Sequence, residues 1–190
     1  TVAAMVIEIT SGTPEVTDVT APPSIDRITY YPREYTSTVT GVITNPYARD
    51  FPGVGLNAIA YNAAGEIIGG GASYMHFLLA DSSAGVEVMV TSAGEVDHIE
   101  LHPHVLLRLT HGSASSMPAD AQALRIVDQG FSQNGNEVGF GMIVENPNSG
   151  YAVDEGYYYI TMYDADGNVI ATVDEDSGVI LPNQTIGIGE

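Results

Sequence analysis

His98, Glu100, His102 and His104 recur at a spacing of two, which puts them on one face of an extended strand. Imidazoles and a carboxylate in such a row can hold Zn²⁺ or Cu²⁺ when a further ligand converges. Pro103 falls inside the row and is expected to interrupt the strand, so the residues read as an exposed edge face. Asp164-Ala165-Asp166-Gly167-Asn168, with Glu175 eleven residues after Asp164, has the oxygen content of a calcium loop, but its glycine lies fourth and not sixth. Asp-Gly between alternating apolar residues is also a hairpin signal, and the matching stretch of the first half offers only Asn62 and Glu66 as oxygen ligands, so a turn is expected. Asp174-Glu175-Asp176 and Asp154-Glu155 are acidic runs able to attract Ca²⁺ weakly, but a solvated surface is the simpler reading and no cofactor is assigned. His76 and His111 stand alone.

Nucleophilic chemistry finds no support. The chain has no Cys, Ser113, Ser115 and Ser116 sit in a stretch without periodicity, and Gly-x-Ser-x-Gly does not occur. Gly69-Gly70-Gly71 lacks the Lys and Ser or Thr that a phosphate loop requires. An enzyme is therefore not expected. Tyr157-Tyr158-Tyr159 divides its rings between the two faces of a strand, and an outward ring can serve a subunit contact, a glycan or a cross-strand pair.

Composition narrows the partners. Among 190 residues there are five Arg, no Lys and 24 Asp plus Glu, for a formal charge of −19. Such a field repels phosphate backbones and anionic lipid headgroups, so nucleic-acid and membrane-surface binding are not expected. No apolar run approaches the ~20 residues that cross a bilayer, so no membrane insertion is expected either. No secretory leader is legible, which fits a cytosolic protein or a processed secreted one. Few charges, with many Thr, Gly, Ser, Tyr and Val, favour an extracellular or cell-surface β protein.

These side chains must be carried by strands. Ile25 to Tyr31, Thr36 to Thr44 and Val54 to Asn62 are rich in β-branched and aromatic residues, and Asn45-Pro46 breaks the ladder because Pro has no amide hydrogen. Glu66 to Gly69 returns as a hairpin partner, the glycine triplet allows a bulge or sharp bend, and Tyr74 to Leu79, Gly85 to Thr91 and Val96 to Leu101 complete about seven short strands, the pattern of an immunoglobulin-like sandwich. The second half repeats the order. Val42-Ile43-Thr44-Asn45-Pro46 matches Ile143-Val144-Glu145-Asn146-Pro147, Tyr61 to Ile68 matches Tyr163 to Ile170, and Arg27-Ile28 and Arg125-Ile126 stand at the start of each copy. A period near 100 residues suits beads on a string, each with its own core. The expected fold is all-β, two tandem immunoglobulin-like sandwiches: residues 1–24 an N-terminal strand and linker, 25–103 the first domain, 104–122 a linker in which Met117 to Ala123 can form one helical turn, and 123–190 the second domain.

The block Gly41 to Asn45, Val54 to Tyr61 and Gly65 to Ile68, followed by a Leu-rich strand, resembles the FxLYD-type immunoglobulin-like modules of bacterial and archaeal surface proteins. The second copy is the more similar, with Ile160-Thr161-Met162-Tyr163-Asp164 at the name motif and Leu181-Pro182-Asn183-Gln184-Thr185 resembling the Leu-Pro-Gly-x-Thr turn. The first copy departs, with Ile59-Ala60-Tyr61-Asn62 and Leu79-Ala80-Asp81-Ser82 at those places. The resemblance implies a scaffold without an active site, whose final strand follows the Leu-Pro-Gly-x-Thr strand.

That final strand is the odd feature. Val6-Ile7-Glu8-Ile9, within Thr1 to Thr10, can be laid over His98-Ile99-Glu100-Leu101, which closes the first set of strands, whereas the second set ends at Ile188-Gly189-Glu190 with no successor. A neighbouring molecule, a tandem continuation of the chain, or the chain's own N-terminus folding back can supply the strand, and Thr1 to Thr10 can alternatively be an extra strand of the first domain. The function expected is a structural subunit of an extracellular filament, a homopolymer joined head to tail by donation of the N-terminal strand. Its polymerisation interface comprises Val2, Met5, Ile7 and Ile9 on the donor and Ile180, Ile186 and Ile188 on the acceptor. The alternative is a monomeric cell-surface binding or adhesion module recognising a glycan or protein.

Overall fold

The computed structural model describes residues 21–105, 118, 120–135 and 137–190, and among these the runs of β-branched and aromatic residues at a period of two, punctuated by Asn, Asp and Gly at the turns, form strands and no helix. The described strands are β1 (Ser24–Tyr31), β2 (Ser37–Thr44), β3 (Val54–Tyr61), β4 (Ile67–Met75), β5 (Ser83–Ser92) and β6 (His98–Val105), then β7 (Arg125–Asn134), β8 (Glu137–Glu145), β9 (Val153–Tyr163), β10 (Val169–Ile180) and β11 (Thr185–Gly189). The first six form one antiparallel sheet in the order β1-β2-β5-β4-β3-β6. It curls at β5, whose residues 83–90 pair with β2 while Thr91 and Ser92 pair with Gly70 and Gly69 of β4. The curl brings both ends of the sheet over a common interior in which Val39, Ile43, Phe51, Val54, Leu56, Met75, Leu78, Val86, Val88 and Val90 lose essentially all contact with solvent.

Two features differ from expectation within this sheet. A one-residue irregularity in register does fall directly before Gly69, but Gly69-Gly70-Gly71 does not bend the chain sharply and lies within β4, where a Cβ on Gly69 would collide with the Thr91 carbonyl oxygen and one on Gly71 with that of Met89. The glycines allow β5 to cross against β4 at backbone distance. Pro103 does not interrupt β6, which runs through it to Val105; β6 is an edge strand, where a missing amide hydrogen costs no ladder bond.

The last five strands form two further pieces, β11-β8-β7 and β10-β9. Their local construction duplicates that of the first six. Tyr61 pairs with Ile67 and Tyr163 with Val169, each followed by a one-residue slip in register. In the intervening turns Asn62 Oδ1 accepts from the Ala64 and Glu66 amides, and Asp164 Oδ1 from those of Asp166 and Asn168, with Gly65 at φ 76° and Gly167 at φ 81°. Thr44, Ile43 and Val42 face Ser83, Ala84 and Gly85 in β5 as Glu145, Val144 and Ile143 face Thr185, Ile186 and Gly187 in β11. At the other end, Pro118 and Ala121 form a turn through a 2.8 Å Ala121 N–H to Pro118 carbonyl bond, with no helix among the described residues there.

The two groups of strands touch directly. One face of the β9–β10 hairpin lies on the outer face of β2 and β5, where the buried Thr40 hydroxyl donates to the Val169 carbonyl at 2.7 Å, Tyr31 Oη donates to the same oxygen at 3.1 Å, and the Gly85 amide donates to Thr161 Oγ1 at 2.9 Å. Arg27 Nη1 donates to the Gly167 carbonyl. Tyr159 packs against buried residues of the first group.

Candidate functional site

Asn45 and Asn146 position the strands that matter next. Each is wholly buried, and each side chain ties the loop after its strand to a distant turn, the one before β5 for Asn45 and the one before β11 for Asn146. Asn45 Nδ2 donates to the carbonyls of Arg49 and Leu79; Asn146 Nδ2 donates to those of Tyr151, Leu181 and Ile180. The Oδ1 atoms accept from the Tyr47 and Asn148 amides, respectively. In sequence, Asn-Pro shows only a ladder break; the signal for the staple is the recurrence of Asn-Pro with a Leu 34 residues on in the first copy and 35 in the second. Asp81 at φ 48° and Asn183 at φ 56° occupy left-handed positions in the paired turns, a conformation that Asn and Asp tolerate better than other non-glycine residues.

The duplication is incomplete at two places: β5 joins β4 whereas β11 does not join β10 among the described residues, and the edge of β9 differs from that of β3. β3 pairs on one side with β4 and on the other with β6, whereas β9, its counterpart, pairs among the described residues with β10 alone. The side chains around this edge of β9 are correspondingly open. Tyr157, Tyr159 and Thr161 face the first group of strands, so by alternation Tyr158, Ile160 and Met162 face β8, and the Tyr158 ring meets that of Phe140 edge-on at 6.4 Å. The counterparts of Tyr158, Ile160 and Met162 in β3 are Leu56, Ala58 and Ala60, at most 1% exposed; the three β9 side chains are only half-buried. On β7, Ile126 and Phe131 lie opposite Val144 and Phe140 and share their face, yet remain 59% and 81% exposed. By register their counterparts on β1 are Ile25 and Tyr30, so Ile126 corresponds to Ile25 and not to Ile28 as the two Arg-Ile pairs suggest, and both Ile25 and Tyr30 pack against the buried interior. In the first group that interior is closed by Ile99 and Leu101 of β6, with Leu101 Cδ1 and Ile25 Cγ2 both within 3.3 Å of where a Gly41 Cβ would stand.

The expected acceptor residues divide. Ile186 and Ile188 of β11 lie opposite Val144 and Met142, half-buried and lining the open space. Ile180 is fully buried and offers no surface. Val2, Met5, Ile7 and Ile9 lie outside the described residues, as do His111, Ser113, Ser115 and Ser116.

Electrostatics around β9 follow from its position. Burial pushes the Tyr159 hydroxyl up to about 12, opposed by its hydrogen bond with Thr172 and reinforced by Asp174 and Glu87. Tyr158 is raised by burial and then by Glu175 and Glu190. Asp164 is lowered, first by the Asn168 side-chain amide and then by backbone amides, the signature of a carboxylate capping its own turn. His76, expected to stand alone, bonds Asp174 Oδ2 at 3.0 Å and stacks on Tyr157 with ring centres 4.0 Å apart.

The candidate metal row is spread among neighbours. His98 Nδ1 lies 2.9 Å from Asp97 and its ring stacks on Tyr61, His102 Nε2 lies 3.0 Å from Glu100, and His104 Nδ1 lies 3.3 Å from Asn57 Nδ2. Among the described residues no three His, Asp or Glu side chains converge as metal ligands. Elsewhere, an open depression of about 690 Å³ between the β1–β2 and β5–β6 loops is lined by Tyr30, Arg33, Glu34, Tyr35 and Glu95, with Tyr35 almost fully exposed. No helix among the described residues is long and apolar enough to cross a membrane. In comparisons with known proteins, no family model and no curated protein matches this chain.

Proposed function

We propose that the protein is a structural subunit of an extracellular filament whose two strand groups are immunoglobulin-like domains, joined head to tail when residues 1–10 of one copy enter beside β9 of the next. The observation that carries this reading is the edge of β9, with Ile126, Phe131, Ile160 and Met162 open around it where the first group of strands has β6. Backbone groups along such an edge template another strand, and the exposed apolar side chains supply the driving force. Repeated, the contact has no closing symmetry and extends a fibre. The resemblance to FxLYD-type surface modules belongs to the same proposal, and Asn183 in the left-handed region supports it, since it stands where the Leu-Pro-Gly-x-Thr pattern has glycine. The surface location rests on composition and on that resemblance.

The test is deletion of residues 1–10, followed by electron microscopy and addition of the synthetic peptide TVAAMVIEIT. The deletion should form no filaments, and it should bind the peptide and gain thermal stability. Filaments from the deletion, or from full-length protein saturated with the peptide beforehand, would exclude strand donation as the joint. A second reading, a surface module that binds a glycan or protein, is favoured by Tyr35 beside the open depression between the β1–β2 and β5–β6 loops. Monodisperse monomers whose glycan binding is lost in Tyr35→Ala would support it over the first.

A further inference from the structure

We infer that the donated strand runs antiparallel to β9 with Ile7 opposite Met162 and Ile9 opposite Ile160 of the second copy, and that the same two side chains cover Ile126 and Phe131 of β7. This rests on the strand-donation reading and adds to it a direction, a register and the surface that is closed.

The register follows from two superpositions. The hairpins place Tyr163 where Tyr61 stands, since each pairs across a matching turn, with Val169 and Ile67 respectively, and is followed by the same slip. Met162, Thr161 and Ile160 therefore replace Ala60, Ile59 and Ala58, which lie opposite Ile99, Glu100 and Leu101 of β6. Val6-Ile7-Glu8-Ile9 repeats the pattern of His98-Ile99-Glu100-Leu101. Glu8 then lies opposite Thr161, outside the interior of the second group and on the face of β9 that is turned toward the first group of strands, as Glu100 lies outside the interior of the first group. A slip by one residue would turn every side chain over, drive Glu8 into the apolar space and expose Ile7 and Ile9, so the charge excludes it. The covered surface follows from Leu101, which in the first group rests over Gly41 and Ile25. The equivalent neighbours of Ile9 are Met142 and Ile126, and Phe131 stands where Tyr30 does. The occupant is taken to be the segment 1–10 because Val6 to Ile9, within it, repeats the pattern of His98 to Leu101.

Because the chain contains no Cys, cross-linking reads the register without background. Directly opposed residues on antiparallel strands lie about 4.5–5.5 Å apart at Cα, within disulfide reach, whereas diagonal pairs at about 7–8 Å are too far. Ile9→Cys chains mixed with Ile160→Cys chains, and separately Ile7→Cys with Met162→Cys, should yield covalent dimers on oxidation. Ile9→Cys with Met162→Cys or with Tyr158→Cys should not. Dimers from a diagonal pair, with none from the opposed pairs, would overturn the register while leaving strand donation standing. A chain carrying both Ile9→Cys and Ile160→Cys that closes on itself as a monomer in dilute solution would overturn the second copy as donor. No dimer from any pair, in a protein whose residues 1–10 can be deleted without loss of filaments, would remove both the register and the reading beneath it.

Discussion

Truncating Asn146 to Ala should cost a large share of the protein's stability, and the structure says which atoms are responsible. The carboxamide holds five groups: the carbonyls of Tyr151, Leu181 and Ile180 on its nitrogen side, and the Asn148 amide and Asn148 Nδ2 on its oxygen side. Of these, the Tyr151 and Leu181 bonds are partly open to solvent, so water can replace the lost partner there. Asn148 Nδ2 also retains the Gln122 carbonyl at 2.8 Å. The Ile180 carbonyl and the Asn148 amide form buried bonds, and each unsatisfied buried group costs about 1–3 kcal/mol. The loss is therefore about 2–6 kcal/mol, against total stabilities of about 5–15 kcal/mol for a domain. With a urea slope of about 2 kcal/mol/M, the midpoint should fall by about 1–3 M. Asn146→Asp should be worse than Asn146→Ala at neutral pH, because a carboxylate fills the same space, donates nothing, and sets its charge against three carbonyl oxygens. Asn45→Ala and Asn45→Asp should reproduce the order. Midpoints within about 0.5 M of the parent for all four variants, or an Asp variant more stable than its Ala counterpart, would refute the role of these residues as staples.

Three further outcomes are expected. Gly85→Val should push the β9–β10 hairpin off β5, because a Cβ there would stand 2.2 Å from Thr161 Cγ2; a loss of about 1–3 kcal/mol by denaturation, with faster amide exchange at residue 85, checks it, and an unchanged stability contradicts the contact. Tyr159 has a folded pKa of about 12 above an unfolded value near 10, so its contribution is fully present below pH 10 and is lost as pH rises toward 12; Tyr159→Phe should remove about 3 kcal/mol of the alkaline decline over that window, and identical pH–stability curves would contradict it. Binding of TVAAMVIEIT to the chain lacking residues 1–10 should weaken by about 30- to 4000-fold when the peptide carries Ala at the Ile9 position, from the 2–5 kcal/mol of a large-to-small change in a packed interior, and by no more than about 2-fold with Ala at the Glu8 position. Equal sensitivity at the two positions, measured by calorimetry, would remove the alternation on which docking depends.

The strands are legible in the chain because a two-residue apolar period states both the element and its buried face, and because each is written twice. Val54 to Tyr61 and the hairpin after it need no tertiary information: Asn62 and Asp164 fold their turns through side-chain bonds to amides two and four residues on. Pairings between distant parts of the chain are not legible in the same way. Gly69, Gly70 and Gly71 suggest a bend because local preference cannot show that another backbone crosses at that point, and His76 looks solitary because Asp174 is 98 residues away. Pro103 suggests an interruption because only the sheet order reveals that β6 lies at an edge.

Composition and repetition alone determined that this is a β protein of strong negative charge whose N-terminal segment repeats the pattern of its sixth strand. Only the tertiary structure decided that the β9–β10 hairpin seats against β2 and β5, and that Ile126 and Phe131 stand open beside an edge of β9 with no partner among the described residues. The physical reason is that side-chain alternation is set by each residue's immediate neighbours, whereas the exposure of an edge depends on which distant strand arrives to cover it.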